Sequence, residues 1–214
     1  MAAKKQAVAV PGGRQAAYVA RNRAALIKSA QEVLASIGPS ATMDDLAKHA
    51  EVSPTTLYKY FPNKEVLFKE ALEQIWLEWV VWAYNGVPQG RNLEEVIDTA
   101  RKLFWTKKTH PFFAQILRNT LEKPSFLIEA VQADATQVFK ELAKRGELLA
   151  DDFDKRVMLM AYGVTGLLIG VHVTGKLSPA QAEAALGIAL SLWGISDAQA
   201  KAIMSRPLIF APVL

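Results

Sequence analysis

The chain has 214 residues, 51% of them hydrophobic and 21% charged, with no cysteine and a formal charge of +4. No run of about 20 uncharged apolar residues with membrane flanks occurs, so a soluble chain burying one sizeable core or two modest ones is expected. The lack of thiols excludes a disulfide framework, a thiolate zinc site, a catalytic cysteine and an iron–sulfur cluster, and it fits a reducing cytoplasm.

Met1 to about Ala16 lacks periodicity and contains Val10-Pro11-Gly12-Gly13, so residues 1–16 read as a flexible basic arm. It holds no apolar segment with a cleavage site, so no secretory signal is read and a cytoplasmic location is expected. From Tyr18 the pattern turns helical: Ile27, Ala30, Leu34 and Ile37 form a stripe, widened by Leu26 and Val33, and Gly38-Pro39 stops it. Thr42-Met43-Asp44-Asp45 is a capping box opening a short helix to His49 or Ala50. Ser53-Pro54 combines a hydroxyl N-cap with proline at the first helical position and starts a third helix, to about Phe61. Asn63 caps a long fourth helix, Lys64 to about Ala83, closed by Asn85-Gly86-Val87-Pro88-Gln89-Gly90.

Further helical stretches are predicted from Leu93 to Lys107, Pro111 to Glu122, Ser125 to Arg145, Asp152 to Thr174, Ser178 to Trp193 and Asp197 to Ser205. No strand and no fixed repeat is predicted, so the fold class is all-α. The expected organisation is a helix-turn-helix domain over 17–65 and a larger helical domain over 66–214, joined through the fourth helix.

The charge is unevenly placed. Up to Glu65 the chain carries nine lysines and arginines against five acids, whereas the other 149 residues hold sixteen of each. That asymmetry suits an anionic partner for the first third, although charge alone suits a solvated face equally well. The short third helix adds chemistry: at 100° per residue Leu57 and Phe61 share one side, while Thr55 and Lys59 share the other, flanked by Thr56 and Tyr58. Short polar side chains near a helix start, with Lys and Tyr beside them, suit entry into a major groove.

Ala41-Thr42-Met43-Asp44-Asp45-Leu46-Ala47, followed by Val52-Ser53-Pro54-Thr55-Thr56-Leu57-Tyr58-Lys59-Tyr60-Phe61-Pro62-Asn63-Lys64-Glu65-Val66-Leu67, resembles the N-terminal DNA-binding domain of the TetR family of bacterial transcriptional regulators. The likeness covers about Arg21 to Leu72. It implies an all-helical homodimer in which Thr42, Thr56, Tyr58, Tyr60 and Lys64 contact phosphates of double-stranded DNA and Pro54, Thr55 and Lys59 reach bases of a near-palindromic operator. It also implies a repressor whose effector, bound in the second domain, moves the fourth helix and changes the spacing of the recognition helices. Lys4, Lys5 and Arg14 are an arm that could follow the backbone or stay free.

The second domain is aromatic and neutral, which suits an apolar small-molecule cavity with few polar groups. Trp79, Trp82, Phe104, Phe113, Gln115, Asn119, Gln137, Tyr162 and His172 are the candidate lining residues, for a small hydrophobic or aromatic effector. Val157 to Val173 is apolar almost all round and reads as a buried helix rather than a membrane span. Its Gly163, Gly166 and Gly170, with Ala184 and Gly187 of the next helix, shave faces that suit a dimer interface, or equally close packing within one subunit.

His49, His110 and His172 are scattered without metal spacing, and no phosphate-cradling glycine loop or nucleophile elbow occurs, so neither a metal, a cofactor nor enzymatic activity is implied. A different class that the composition also admits is a non-enzymatic, all-helical carrier of hydrophobic molecules with a basic partner-binding domain.

Overall fold

The computed structural model describes residues 13–86, 90–123, 128 and 136–212. Among these residues every regular element is helical. The first three helices are α1 (Gly13–Ser36), α2 (Met43–His49) and α3 (Pro54–Tyr60), followed by α4 (Lys64–Tyr84). Their ends fall where the capping chemistry predicts. Thr42 Oγ1 accepts from the Asp45 amide while the Asp45 carboxylate accepts from the Thr42 amide, Ser53 Oγ accepts from the Thr56 amide, and Asn63 accepts from the Val66 amide.

Two expectations about α1 need correction. Gly13–Ala16, read as part of the arm, are already helical, because Arg14, Gln15 and Ala16 are good helix formers and the exposed turns they build need no apolar stripe. Residues 1–12, with Lys4 and Lys5, lie outside the described residues. Ile37, expected on the buried stripe, is 52% exposed, because the helix ends at Ser36 and the chain turns away through Gly38 at φ +84°.

Helix α4 belongs to both halves of the molecule. Its first turns bury Leu67, Phe68 and Leu72 against α1, and its later turns bury Ile75, Trp79 and Val80 beside α5 (Leu93–Leu103). The helix predicted to run to Lys107 breaks after Leu103, and a short α6 (Thr106–Thr109) follows. Phe104 is fully buried and the neighbouring Trp105 donates Nε1–H to the Glu183 carboxylate. Two adjacent bulky residues that both face inward are poorly served by a helix, which separates neighbours by about 100°.

Helix α7 (Pro111–Thr120) leads to residues 124–127 and 129–135, outside the described residues, so the first half of the stretch expected from Ser125 is untested; α8 is described over 136–144. Helix α9 (Phe153–Leu168) passes into a π-helical turn, Ile169–Val173, instead of continuing as α-helix. α10 (Pro179–Ala189), a 3₁₀ turn (Leu190–Trp193) and α11 (Asp197–Met204) complete the chain of helices. Beyond α11 the chain lies back over α4: Phe210 stacks on Trp82 with ring centroids 6.4 Å apart, and Trp82 Nε1 donates to the Ala211 carbonyl at 3.2 Å.

The two halves are also joined by α1 and α7. The Asn119 amide donates to the Leu34 and Ala35 carbonyls at 3.0 and 2.8 Å, capping the end of α1. Gly38 sits so close that a Cβ on it would lie 3.2 Å from Asn119 Cβ. Removing that amide with Asn119→Ala leaves two carbonyls without this partner and should cost about 1–3 kcal/mol in urea unfolding, whereas Arg118→Ala, on the exposed face, should change little.

Candidate DNA-binding and ligand-binding sites

Helix α3 presents two opposite faces. Leu57 and Phe61 are 1% and 0% exposed and anchor it, while Pro54, Thr55, Tyr58 and Lys59 are exposed. Thr55 and Lys59 make no side-chain hydrogen bond or ion pair among the described residues. Thr56 is half-buried, and its hydroxyl lies 2.8 Å from Ser53 Oγ within the cap. Thr42 is exposed but its hydroxyl donates to Asp45 at 2.7 Å, and the Thr42 backbone N–H, together with that hydroxyl, holds the Asp45 carboxyl below its ordinary range.

Two candidate phosphate contacts are engaged inside the domain. Lys64 Nζ donates to the Ala41 and Pro39 carbonyls at 2.9 and 3.3 Å, tying the α1–α2 loop to α4 and using two of its three N–H groups. Tyr60 OH accepts from Asn22 at 3.1 Å and its carbonyl accepts from Arg23. Sequence reading missed Arg23 altogether. Its guanidinium pairs with Glu70 of α4 at 2.5 Å and lies 4.2 Å from the centroid of the Phe61 ring, so one side chain locks α1, the end of α3 and α4 together. Arg23 and Glu70 are 47 residues apart, and no local pattern marks such a pair.

The second half encloses a cavity of about 410 Å³. Its wall comes from α4 (Trp76, Trp79), α5 (Val96, Thr99), α9 (Met160, Thr165) and the turn after α10 (Trp193). Tyr84 also lines it, and burial pushes its phenol up to about 12, so the hydroxyl stays protonated at neutral pH.

The family model for bacterial regulatory proteins of the tetR family matches residues 26–71, which span the end of α1, α2, α3 and the start of α4. The chain carries the DNA-binding domain of the TetR family. The same all-helical architecture recurs in solved TetR-family structures. RolR in complex with resorcinol shares 20% identity at a TM-score of 0.66, covering 91% of this chain and 98% of its own. A TetR-family regulator from Marinobacter aquaeolei shares 19% at 0.54, covering 85% and 98%. FadR from Thermus thermophilus, in complex with lauroyl-CoA, shares 22% at 0.54, covering 78% and 93%. No curated protein matches the chain.

Most of the expected lining residues lie elsewhere than the cavity. Trp79 and Gln137 line it. Asn119 caps α1, and Gln115 is exposed and donates to Asn119. Phe113 packs on Trp79 at 5.8 Å, Trp82 holds the C-terminal segment, and Phe104 is in the core beside a separate shallow pocket. Tyr162 faces outward at 65% exposed. Periodicity identifies buried aromatics but not which of them border a void, since both kinds occupy the same helix faces.

The small-residue faces divide in two. A Cβ on Gly163 or Gly166 would meet nothing within 4 Å, and these glycines lie with Met158, Leu159 and Tyr162 on an exposed face of α9. Ala184 and Ile188 are exposed on α10, which packs against α9. Gly170, by contrast, is buried, and its Cβ would fall 2.5 Å from Leu177 Cδ1; at Gly187 it would fall 3.1 Å from Met204 Cγ. Those two glycines serve packing within the subunit. Helix α9 with its π-turn is long and apolar enough to cross a membrane, but only 33% of its most apolar 18 residues are buried, so the expectation of a buried helix is corrected to one with an open apolar face.

His172, expected in the pocket, sits in the π-turn, 2% exposed. Its Nε2 lies 3.2 Å from the Leu103 carbonyl and 3.3 Å from Thr106 Oγ1. A carbonyl only accepts, so Nε2 carries the proton and the buried, unpartnered Nδ1 is bare. Burial holds the pKa of His172 below its ordinary value, as it does for His110 beside Trp82. A folded pKa below the unfolded one gives stability that is present above about pH 6.5 and lost as pH falls through the folded values. The thermal midpoint should therefore hold steady from about pH 8 to 7 and decline below about 6.5, and His172→Asn should flatten part of that decline.

Proposed function

We propose that the protein is a cytoplasmic, homodimeric repressor that reads a near-palindromic operator through α3 and releases it when a small hydrophobic or aromatic effector enters the cavity. The observation that carries this reading is the double membership of α4, which buries Leu67 and Leu72 beneath the recognition unit and lines the cavity with Trp76 and Trp79. Thr55 and Pro54 would touch base edges, with Lys59 reaching bases or backbone. Tyr58, Thr42, Thr56 and Tyr60 would hold phosphates, the last three with their backbone neighbourhood already fixed. Lys64 has one N–H left for a phosphate while it braces the loop above it.

The open faces of α9 and α10, with Tyr162, Gly163, Gly166, Ala184 and Ile188, would join two subunits. Pairing sets two recognition helices about one DNA turn apart, roughly 34–36 Å, and lets two weak half-sites act together. RolR with resorcinol and FadR with lauroyl-CoA support a ligand held in this kind of helical domain. An effector needs only to prefer the DNA-incompetent spacing: about 10⁴-fold preference carries the population from almost fully bound to almost fully released. The match of residues 26–71 to a DNA-binding family favours this reading over a carrier of hydrophobic molecules.

Selection from a random duplex library, with recovered sites retested by fluorescence anisotropy at two salt concentrations, tests the reading directly. A near-palindromic site is expected, and recovery of no preferred sequence would refute it. Lys59→Ala should weaken binding and reduce the salt slope by about one unit, whereas Thr55→Ala should change base preference at one position per half-site. In sedimentation velocity Ile188→Asp, which sets a charge on a position 77% exposed in the single chain, should convert dimer to monomer while far-ultraviolet circular dichroism stays unchanged.

A further inference from the structure

We propose that the cavity selects uncharged ligands, apolar skeletons bearing neutral acceptor oxygens, against carboxylates and other anions of the same size; this rests on reading the cavity as the effector site. The lining holds no lysine, arginine or histidine among the described residues. Its two ionisable members are Tyr84, a neutral phenol, and Glu141, whose charge repels an anion. Residues 87–89, 124–127 and 129–135 contain no lysine, arginine or histidine, so the stretches outside the described residues in this half add no cation either.

Arg91, Arg101 and Lys102, on or beside α5, are committed elsewhere, and Lys140 and Lys144 of α8 are exposed. Arg101, 5% exposed, is held by Asp98 at 2.9 Å, by Glu183 at 2.7 Å and by the Arg206 carbonyl. Lys102 Nζ donates to the Ala83 carbonyl at 2.5 Å, and Arg91 pairs with Glu95 at 3.0 Å. A carboxylate entering this wall would lose its hydration and find no counter-ion, a penalty worth at least about a hundred-fold in affinity.

The lining polar atoms that are buried without a partner have one sign. The indole N–H groups of Trp76, Trp79 and Trp193, all lining residues, are buried without a partner. An indole nitrogen only donates, so a ligand that draws on it must supply an acceptor, such as the oxygen of an alcohol, ketone, ester or phenol. The volume of about 410 Å³ falls in the range of sites that take drug-sized skeletons.

Matched pairs test the selectivity on the full chain: dodecanol against dodecanoate and naphthol against naphthoate, at neutral pH, read by quenching of intrinsic tryptophan fluorescence. The neutral member of each pair is expected to bind at least about a hundred-fold more tightly. A carboxylate that binds as well as its neutral partner overturns the proposal. Thr165→Lys, which sets an ammonium in the wall, is expected to raise dodecanoate affinity at least about ten-fold, with thermal unfolding as the check on the fold. A folded Thr165→Lys protein that still rejects dodecanoate overturns the electrostatic argument. Saturable binding of the neutral ligands without loss of operator affinity would refute the effector role and leave the selectivity standing. No binding by any of the four compounds would refute both.

Discussion

One helix has to serve both ends of a continuous core at once, and most of the molecule follows from that constraint. Helix α4 is apolar around much of its circumference, as it must be when its first turns close a three-helix unit and its last turns wall the cavity. A rod of 21 residues spans about 31 Å, so a small tilt forced at the tryptophan end is carried as a displacement at the lysine end. Its two ends are fixed by different means. Asn63 caps one end, which Lys64 ties to the loop before α2, and Trp82 and Ala83 tie the other to the C-terminal segment and to Lys102.

Interactions within a few residues were legible in the amino-acid order. The Thr42–Asp45 box, the Ser53-Pro54 start, the Asn63 cap and the stop at Gly38 are all local devices, and each occurs where its spacing indicates. The opposite faces of α3 were legible for the same reason, because a helical wheel needs only the rise and turn of the helix. The pairs that join distant elements were not. Arg23 with Glu70, Asn119 with Leu34 and Arg101 with Glu183 join residues 47, 85 and 82 positions apart. Nothing local to Asn119 separates a residue that borders a cavity from one that caps a distant helix, and the structure shows it capping α1.

The aromatic residues make the same point from the other side. Phe104, Trp79 and Trp193 are nearly equally buried, yet two of them border the large cavity and one does not. Composition fixes how much apolar surface must be hidden, while the location of a void depends on how α5, α9 and α10 pack against α4. The π-turn at Ile169–Val173 is a related case. It brings His172 to the Leu103 carbonyl and lets the buried Gly170 meet Leu177, a register that a simple helical period does not contain.

The seam between Asn119 and the end of α1 bears on how such proteins can be recombined. A transplant of the DNA-reading unit cut at the start of α4 would carry Gly38 and the α1 carbonyls into a new partner without the amide that caps them. A side chain larger than hydrogen at position 38 would meet both the positive φ and the Asn119 side chain. The unit of exchange is therefore larger than the helix-turn-helix: the tip of α7 travels with it, as a keystone travels with its arch.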